Sequence, residues 1–369
     1  MNTTVLLLVL TLAQAPRTGP IVDPLSPRQW QRVDESVERA LTWLATQQRA
    51  DGSFAAPDTA QPAVTALCVM AFLSRGHDPG MGPYGRAIER AIEYILDCQR
   101  HDGMFTRVAR IGDVYRYQQP SQTAAYNHAI AGLALCELYG MHGAVDSDRI
   151  RNAIERALTL TRQLQDKRWV YPESEGGWGY IVVGDMTETD MSITSWQLMF
   201  LRSAKTAGFE VEAERIDRSV QFIARCYEPR TGSFAYHPLQ RLRWTRGMAG
   251  AGIFAMANAG MHDSPMARRA GEFLLSRPYD QYRQNPPPSQ NEWYHYSVFF
   301  ATAGMYQLGG DYWRAFFPTM VETLMRHQNR DGSWQTETRQ GQALGNAYTT
   351  AMIVIAMDTP NQLLPIFQR

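Results

Sequence analysis

Apolar and polar positions along this chain alternate between two kinds of helix. The first kind carries apolar residues at three-to-four spacing against a charged face, as in Ile88, Ala91, Ile92 and Ile95 against Glu89, Arg90 and Glu93. Such a helix keeps one side in water. The second kind is apolar nearly all round, as in Ala129 to Leu135 and Met248 to Phe254, so both of its faces must be covered. The two kinds pair in order into six hairpins. These are Val37–Gln47 with Pro62–Leu73, Ile88–Cys98 with Thr123–Leu138, and Ile154–Leu164 with Met191–Ala204. Ile216–Cys226 with Thr245–Asn258, Ala267–Leu275 with Trp293–Leu308, and Thr319–His327 with Ala347–Met357 complete the set. One wet and one buried helix per hairpin predicts an all-α ring, an (α/α)6 toroid with six inner helices inside six outer ones. An open solenoid would need polar capping repeats, and the end hairpins are as apolar as the middle ones.

A loop pattern repeats in step with the hairpins, with a period of roughly 45–65 residues. Its clearest copies are Gln48, Asp51, Gly52, Phe54; Gln99, Asp102, Gly103, Phe105; and Gln328, Asp331, Gly332, Trp334. Gly176-Gly177-Trp178-Gly179-Tyr180 and Thr231-Gly232-Ser233-Phe234 are variants. Outer helices open on a related signature, including Glu38-Arg39-Ala40, Glu89-Arg90-Ala91 and Glu155-Arg156-Ala157. Aspartate and glycine make a tight turn, the aromatic packs back between hairpins, and the glutamine reaches exposed helix-end groups. These loops are expected to be structural staples. The fifth hairpin lacks one and carries Arg277-Pro278-Tyr279 and Asn285-Pro286-Pro287-Pro288 instead.

Continuity of the repeat argues for one unit over residues 34–369, preceded by an extended lead-in at 16–33. Val5 to Leu12 is a compact apolar run followed by Ala13-Gln14-Ala15, which fits a secretory signal peptide over residues 1–15 and predicts export, periplasmic or extracellular. The run is too short to span a bilayer. Thirty-six basic residues balance thirty-six acidic ones, which argues against nucleic acid as a partner. Cys68, Cys98, Cys136 and Cys226 show no metal spacing and read as buried thiols. No metal or other cofactor is expected.

The loops and hairpins together resemble the terpenoid-cyclase and protein-prenyltransferase superfamily, and the loops resemble the QW-type repeats of squalene cyclases. That resemblance implies the toroid fold and a central cavity holding an unidentified, isoprenoid-type ligand. The acid motif D-x-D-D of the cyclases and the magnesium motif D-D-x-x-D are absent, the nearest cluster being Asp185-Met186-Thr187-Glu188-Thr189-Asp190. Prenyltransferase β-subunits open an inner helix with D-x-C and a later Trp. Here Asp190, Ser192 and Trp196 occupy that frame, with serine where the zinc-binding cysteine would be. Tyr294-His295 resembles the family's Tyr-His pair one hairpin late. A protein partner comparable to the family's α-subunit is a further implication. An isoprenoid cyclase or transferase with altered catalytic residues is one alternative, and a carbohydrate lyase or hydrolase on a similar double barrel is another.

In a ring, the N-termini of the inner helices share one mouth, where helix dipoles and free N–H groups converge. Asp190 and Glu292 are the candidate acid–base residues there, assisted by His128 and His295. Tyr126, Trp244, Arg246, Tyr296 and Tyr348 are the candidate lining. Alternative roles stand beside these: Asp190 as a helix N-cap, His128 as a satisfied core histidine, and Arg246 as the partner of Asp190 or Glu292. Arg241, Arg243, Trp244 and Arg246 also form a basic-aromatic run suited to an anionic ligand.

Overall fold

A computed structural model describes residues 18–107, 118–141, 146–181, 189–284, 292–339 and 342–369. The signal-peptide reading, Asp185, Glu188 and the proline run at 286–288 lie outside these residues. Outer helices are α1 (Pro27–Thr46), α3 (Gly85–Asp97), α5 (Ser147–Gln165), α7 (Ala213–Arg225), α9 (Pro265–Leu275) and α11 (Gly310–Arg326). Inner helices are α2 (Ala63–Leu73), α4 (Gln118–Leu138), α6 (Met191–Thr206), α8 (Arg246–Asn258), α10 (Tyr294–Leu308) and α12 (Asn346–Asp358). The inner ring is closed. Each inner helix packs on the next, from α2 through α4, α6, α8 and α10 to α12, and α12 returns to α2. Every residue of α2 is buried, whereas α3 buries the stripe that includes Ile88, Ala91, Ile92 and Ile95. Small residues draw the ring tight between α8 and α10, where a side chain on Gly250 would start 2.4 Å from the Ala301 nitrogen. No helix among the described residues is long and apolar enough to cross a membrane.

The loops work as clamps between neighbouring hairpins. Gln48 Nε2 donates to Gly52 O (3.0 Å) within its loop and to Ala87 O (2.7 Å) in the first turn of α3. Gln99 bridges Gly103 O and Ala153 O of α5, and Gln165 bridges Gly176 O and Arg215 O of α7. Gln328 does the same for Gly332 O and Ser36 O of α1, both at 2.8 Å, so the final clamp closes the ring onto the first helix. The arginine of the helix-opening signature completes the joint: Arg90 donates to Gln48 Oε1 and Arg39 to Gln328 Oε1. Buried Phe54, Phe105, Trp178, Phe234 and Trp334 fill the joints.

Gly332 has φ +97°, and a Cβ there would stand 2.4 Å from the Arg39 carbonyl oxygen. Both the turn and the close approach exclude a side chain. Gly332→Ala should therefore destabilise the ring by more than about 1 kcal/mol in urea denaturation. An unchanged midpoint would mean that the loop can simply move off α1.

All six outer helices start earlier than the pattern predicts, α1, α5 and α11 by the widest margins. Helix α1 begins at Pro27, so it takes residues 27–33 out of the extended lead-in. Ser26 and Gln29 form a reciprocal capping box there, and Pro27 sits in the first turn, where its missing N–H costs nothing. Helix α5 starts at Ser147 on an Asp146 cap, and α11 starts at Gly310 and continues through Pro318.

Candidate functional site

Asp190 stands at the mouth as the N-cap of α6. Its own N–H donates to Trp178 O (2.8 Å), which fixes it against the loop. Oδ1 accepts from the backbone of Ser192 (2.6 Å) and Ile193 (3.2 Å), and from the Ser192 hydroxyl. Oδ2 is buried and has no hydrogen-bond partner. Burial raises the Asp190 pKa, against the opposing pull of Ser192, Tyr236, Tyr180 and the Ile193 N–H. The Tyr180 and Tyr236 hydroxyls are thus close enough to act on the carboxylate, and since only one of them donates in their mutual 2.5 Å bond, the other keeps a hydrogen within reach of it.

Further tyrosines surround this carboxyl group. Tyr126, on α4, meets the Ser192 hydroxyl at 2.5 Å and sets its ring edge-on to Tyr180, with centroids 6.4 Å apart. Tyr296, on α10, has a hydroxyl without a partner, and its pKa is driven up by burial and then by Asp190 and Tyr348. Tyr126, Tyr180, Tyr236 and Tyr296 each keep part of their surface accessible, whereas Asp190 beneath them is wholly covered. The site is an acidic group under a rim of phenol rings. Of the predicted residues, Asp190, Tyr126, Tyr296 and Tyr348 come together here.

The other predicted residues are engaged elsewhere. His128 is part of the frame: its Nδ1 accepts from Phe105 N (3.4 Å) and its Nε2 meets Thr161 Oγ1 (3.0 Å). Thr65, Thr194 and Thr350 accept from the equivalent aromatic N–H groups in three sister repeats. Burial lowers the His128 pKa to about 4. The unfolded chain, with an ordinary histidine, takes up that proton first as pH falls. Stability from this residue is complete above about 6.5 and is lost as pH falls towards 4, a change of about 3 kcal/mol. A His128→Thr variant, copying its sister repeats, should show a flatter melting-temperature profile across that window. An unaltered slope would place the titrating group elsewhere.

Glu292 and Arg246 form a buried ion pair, with Nε donating to Oε1 at 2.8 Å. The Arg246 guanidinium also donates to the carbonyls of Pro278 (3.2 Å) and Gln284 (2.7 Å), and its centre lies 3.8 Å from the Tyr279 ring centroid. This arginine thus clamps the hairpin that lacks the glutamine loop. Burial pushes the Glu292 pKa up and Arg246 pulls against it. His295 lies between Glu337 (Nδ1 to Oε1, 3.0 Å) and the Tyr282 hydroxyl (Nε2, 2.9 Å). Glu337 additionally caps α10 by accepting from the Tyr294 and His295 N–H groups. Trp244 packs edge-on against Phe273 and under Arg277, on the outer side of its hairpin. Arg241 and Arg243 are exposed, and Arg243 stacks over Tyr236.

Tyr180 and Tyr236 escape a reading based on helix starts because both lie in loops. Each stands two residues beyond a buried loop aromatic, Trp178 and Phe234, and that shared spacing is the signal in the sequence. The prenyltransferase zinc frame does not fit these residues. Asp190 Oδ1 is taken up by the α6 N-terminus, and Ser192 offers a hydroxyl rather than a thiolate.

Residues 2–168 and 182–364 match the model of the prenyltransferase alpha-alpha toroid domain. The chain belongs to that family. No curated protein matches the sequence. Among solved structures, a variant of the type II terpene cyclase MstE from Scytonema, in complex with geranylgeranyl dihydroxybenzoate, is similar at 15% identity and a TM-score of 0.59. That match covers 93% of this chain and 100% of the cyclase. Apo MstE matches at 14% identity and TM-score 0.57, over 90% of this chain and 100% of that one. A glycosidase variant in complex with glucose is 11% identical with a TM-score of 0.58, covering 92% of this chain and 100% of its own. At these identities the likeness is one of fold. The architecture is shared by terpene cyclases and glycosidases.

Proposed function

We propose that this toroid binds an isoprenoid chain at its tyrosine-rimmed mouth and that Asp190 acts on the chain as a Brønsted acid. The supporting observation is the unpartnered, buried Oδ2 of a carboxyl group whose pKa is raised by burial. Burial favours the protonated form of such a carboxyl group, the form an acid catalyst needs. Donation to an alkene would use the π pair to form the new C–H bond and leave a cation on the other alkene carbon. Asp190 would become the carboxylate, still held at Oδ1 by the α6 N-terminus. The rings of Tyr126, Tyr180 and Tyr296 would stabilise the cation. Loss of a proton from the rearranged cation would regenerate the acid. Type II terpene cyclases sharing the fold, one of them holding a geranylgeranyl substrate, support this reading. The apolar run before residue 16 supports export of the mature chain.

Sugar hydrolysis is the second reading, favoured by the glycosidase neighbour. It calls for two carboxyl groups flanking one bond. Among the described residues, Glu292 is committed to Arg246 and Glu337 to His295 and the α10 N-terminus. Only Asp190, of these, is left with a free oxygen.

Two measurements on the full-length protein separate the readings. Native mass spectrometry after purification from its own host, followed by extraction, should release a polyprenyl lipid. Incubation with geranylgeranyl dihydroxybenzoate or squalene in D2O should then yield a cyclised product carrying one deuterium. A bound saccharide with no cyclised product would replace this reading with the hydrolytic one.

A further inference from the structure

A carboxylate, an imidazole and a phenol line up between the fifth and sixth hairpins. Glu337, in the loop after α11, accepts from Tyr294 N (2.9 Å) and His295 N (3.0 Å), so two backbone groups fix it. His295, in the first turn of α10, turns Nδ1 to Glu337 Oε1 at 3.0 Å and Nε2 to the Tyr282 hydroxyl at 2.9 Å. Burial works against the Glu337 charge, but the bonds from His295 and the two N–H groups hold its pKa below the usual range. Glu337 is therefore ionised and accepts only, which puts the imidazole's proton on Nδ1. Burial lowers the His295 pKa against the pull of Glu337, so the ring is neutral near pH 7. Nε2 is then bare, and Tyr282 donates to it.

Tyr282 is held for that role. Its ring stacks on His327 with centroids 4.6 Å apart and meets Tyr294 edge-on at 5.2 Å. It stands at the corner of a turn in which Gln284 N donates to Gln281 O, and Arg246 clamps that turn through Gln284 O at 2.7 Å. The other corner residue, Arg283, takes φ +60°, a conformation that glycine or asparagine adopts more readily. Arg283 is exposed and close enough to act electrostatically on both Tyr282 and His295. Tyr282 itself keeps part of its surface accessible, whereas His295 is wholly buried. An oriented base bonded to an accessible hydroxyl is the arrangement of nucleophilic catalysis.

We propose that Tyr282 is the nucleophile of a site that cleaves carboxylic esters, with His295 as its base and Glu337 as the positioning residue. The site shares no residue with that of Asp190 and does not depend on the isoprenoid reading. The Tyr282 oxygen adds to the ester carbonyl as its proton passes to His295 Nε2, and the carbonyl π pair moves onto oxygen. Arg283 meets that single negative charge, where a phosphoryl group would call for several cations. Collapse expels the alcohol oxygen, which takes the proton from Nε2 and leaves acyl-Tyr282. Water then adds to the acyl carbon and gives a proton to Nε2. The phenol departs with that proton, and the acid is released. Glu337 acts through His295, holding its tautomer and steadying the imidazolium. A phenol leaves more easily than an aliphatic alcohol, so water can clear the acyl group.

The test uses the full-length protein and two probes, p-nitrophenyl butyrate and an alkyl fluorophosphonate. The fluorophosphonate loses fluoride as the attacking oxygen bonds to phosphorus, and its adduct resists water. Peptide mapping by mass spectrometry should place that adduct on Tyr282. Tyr282→Phe, which keeps the ring contacts, should lose the adduct and cut butyrate hydrolysis roughly 10²–10⁴-fold. Hydrolysis by wild type should rise with pH as His295 becomes neutral. Glu337→Gln should move that midpoint to lower pH, because the carboxylate raises the imidazole pKa against burial and Arg283. Loss of the α10 cap alone would leave the midpoint in place. An unmoved midpoint would thus overturn the part given to Glu337. An adduct on another residue, no adduct, or equal hydrolysis by wild type and Tyr282→Phe would overturn the whole site and leave the Asp190 reading untouched.

Discussion

Arg246→Ala should lower the unfolding free energy by about 3–5 kcal/mol, the usual result of stripping one partner from a buried ion pair. The loss arises mainly from what the arginine leaves behind. Glu292 would lose its counter-charge in a site with almost no access to water, where burial pushes it towards the protonated form, while its Oε2 would retain the backbone N–H at position 246. The carbonyls of Pro278 and Gln284 would lose their donors, and the Tyr279 face would lose its cation. Arg246→Lys should recover little, because one ammonium cannot reach carbonyls on both sides of that loop while holding Glu292. The double variant Arg246→Met with Glu292→Leu should recover part of the loss, since it removes both charges together. Urea denaturation of the three variants checks this. A loss below about 1 kcal/mol for Arg246→Ala would mean that the pair is loosely held and free to meet a ligand.

Asp190→Asn should cut turnover by roughly 10²–10⁴-fold and leave the melting temperature almost unchanged. Asparagine caps a helix as well as aspartate does, so the bonds to the Ser192 and Ile193 N–H groups survive. What disappears is the proton. Asp190→Ala should lose the cap as well and cost about 1 kcal/mol. The two variants therefore separate the chemical role from the structural one. Their pH profiles carry a further signature. A carboxyl group with a raised pKa in the fold favours the folded state at low pH and loses that contribution as pH rises through its folded value. Asp190→Asn should be free of this fall. Equal turnover in wild type and Asp190→Asn would show that the acid is another group.

The ring was legible because its cause is periodic. One wet and one dry helix per hairpin repeat along the chain, and apolar end hairpins leave closure as the way to cover them. Helix starts were less legible. Pro27 reads as a breaker in isolation, and only the Ser26–Gln29 pair reveals that it opens α1. At the site, Asp190, Tyr126, Tyr296 and Tyr348 could be found by their position near inner-helix starts. Tyr180 and Tyr236 could not, since loop backbone decides where they point. Two frame residues left traces that a comparison of repeats brings out. His128 fills the slot held by threonine in three sister hairpins, and Arg246 clamps the hairpin that has neither a Gln-Asp-Gly loop nor one of its variants.

The Gln328 clamp on α1 bears on how the molecule is made. Synthesis delivers α1 first, yet its clamp lies 292 residues further on, and Arg32 waits as long for Glu322 at 3.0 Å. Contacts so distant in sequence form slowly, because the intervening chain must be ordered before they repay its entropy. A nascent chain of five hairpins is an arc with two raw apolar edges, and such edges find each other on neighbouring chains. Growth by accretion, as in a solenoid, is closed to this architecture. Premature termination within the sixth hairpin should therefore yield aggregate rather than five-sixths of a working protein.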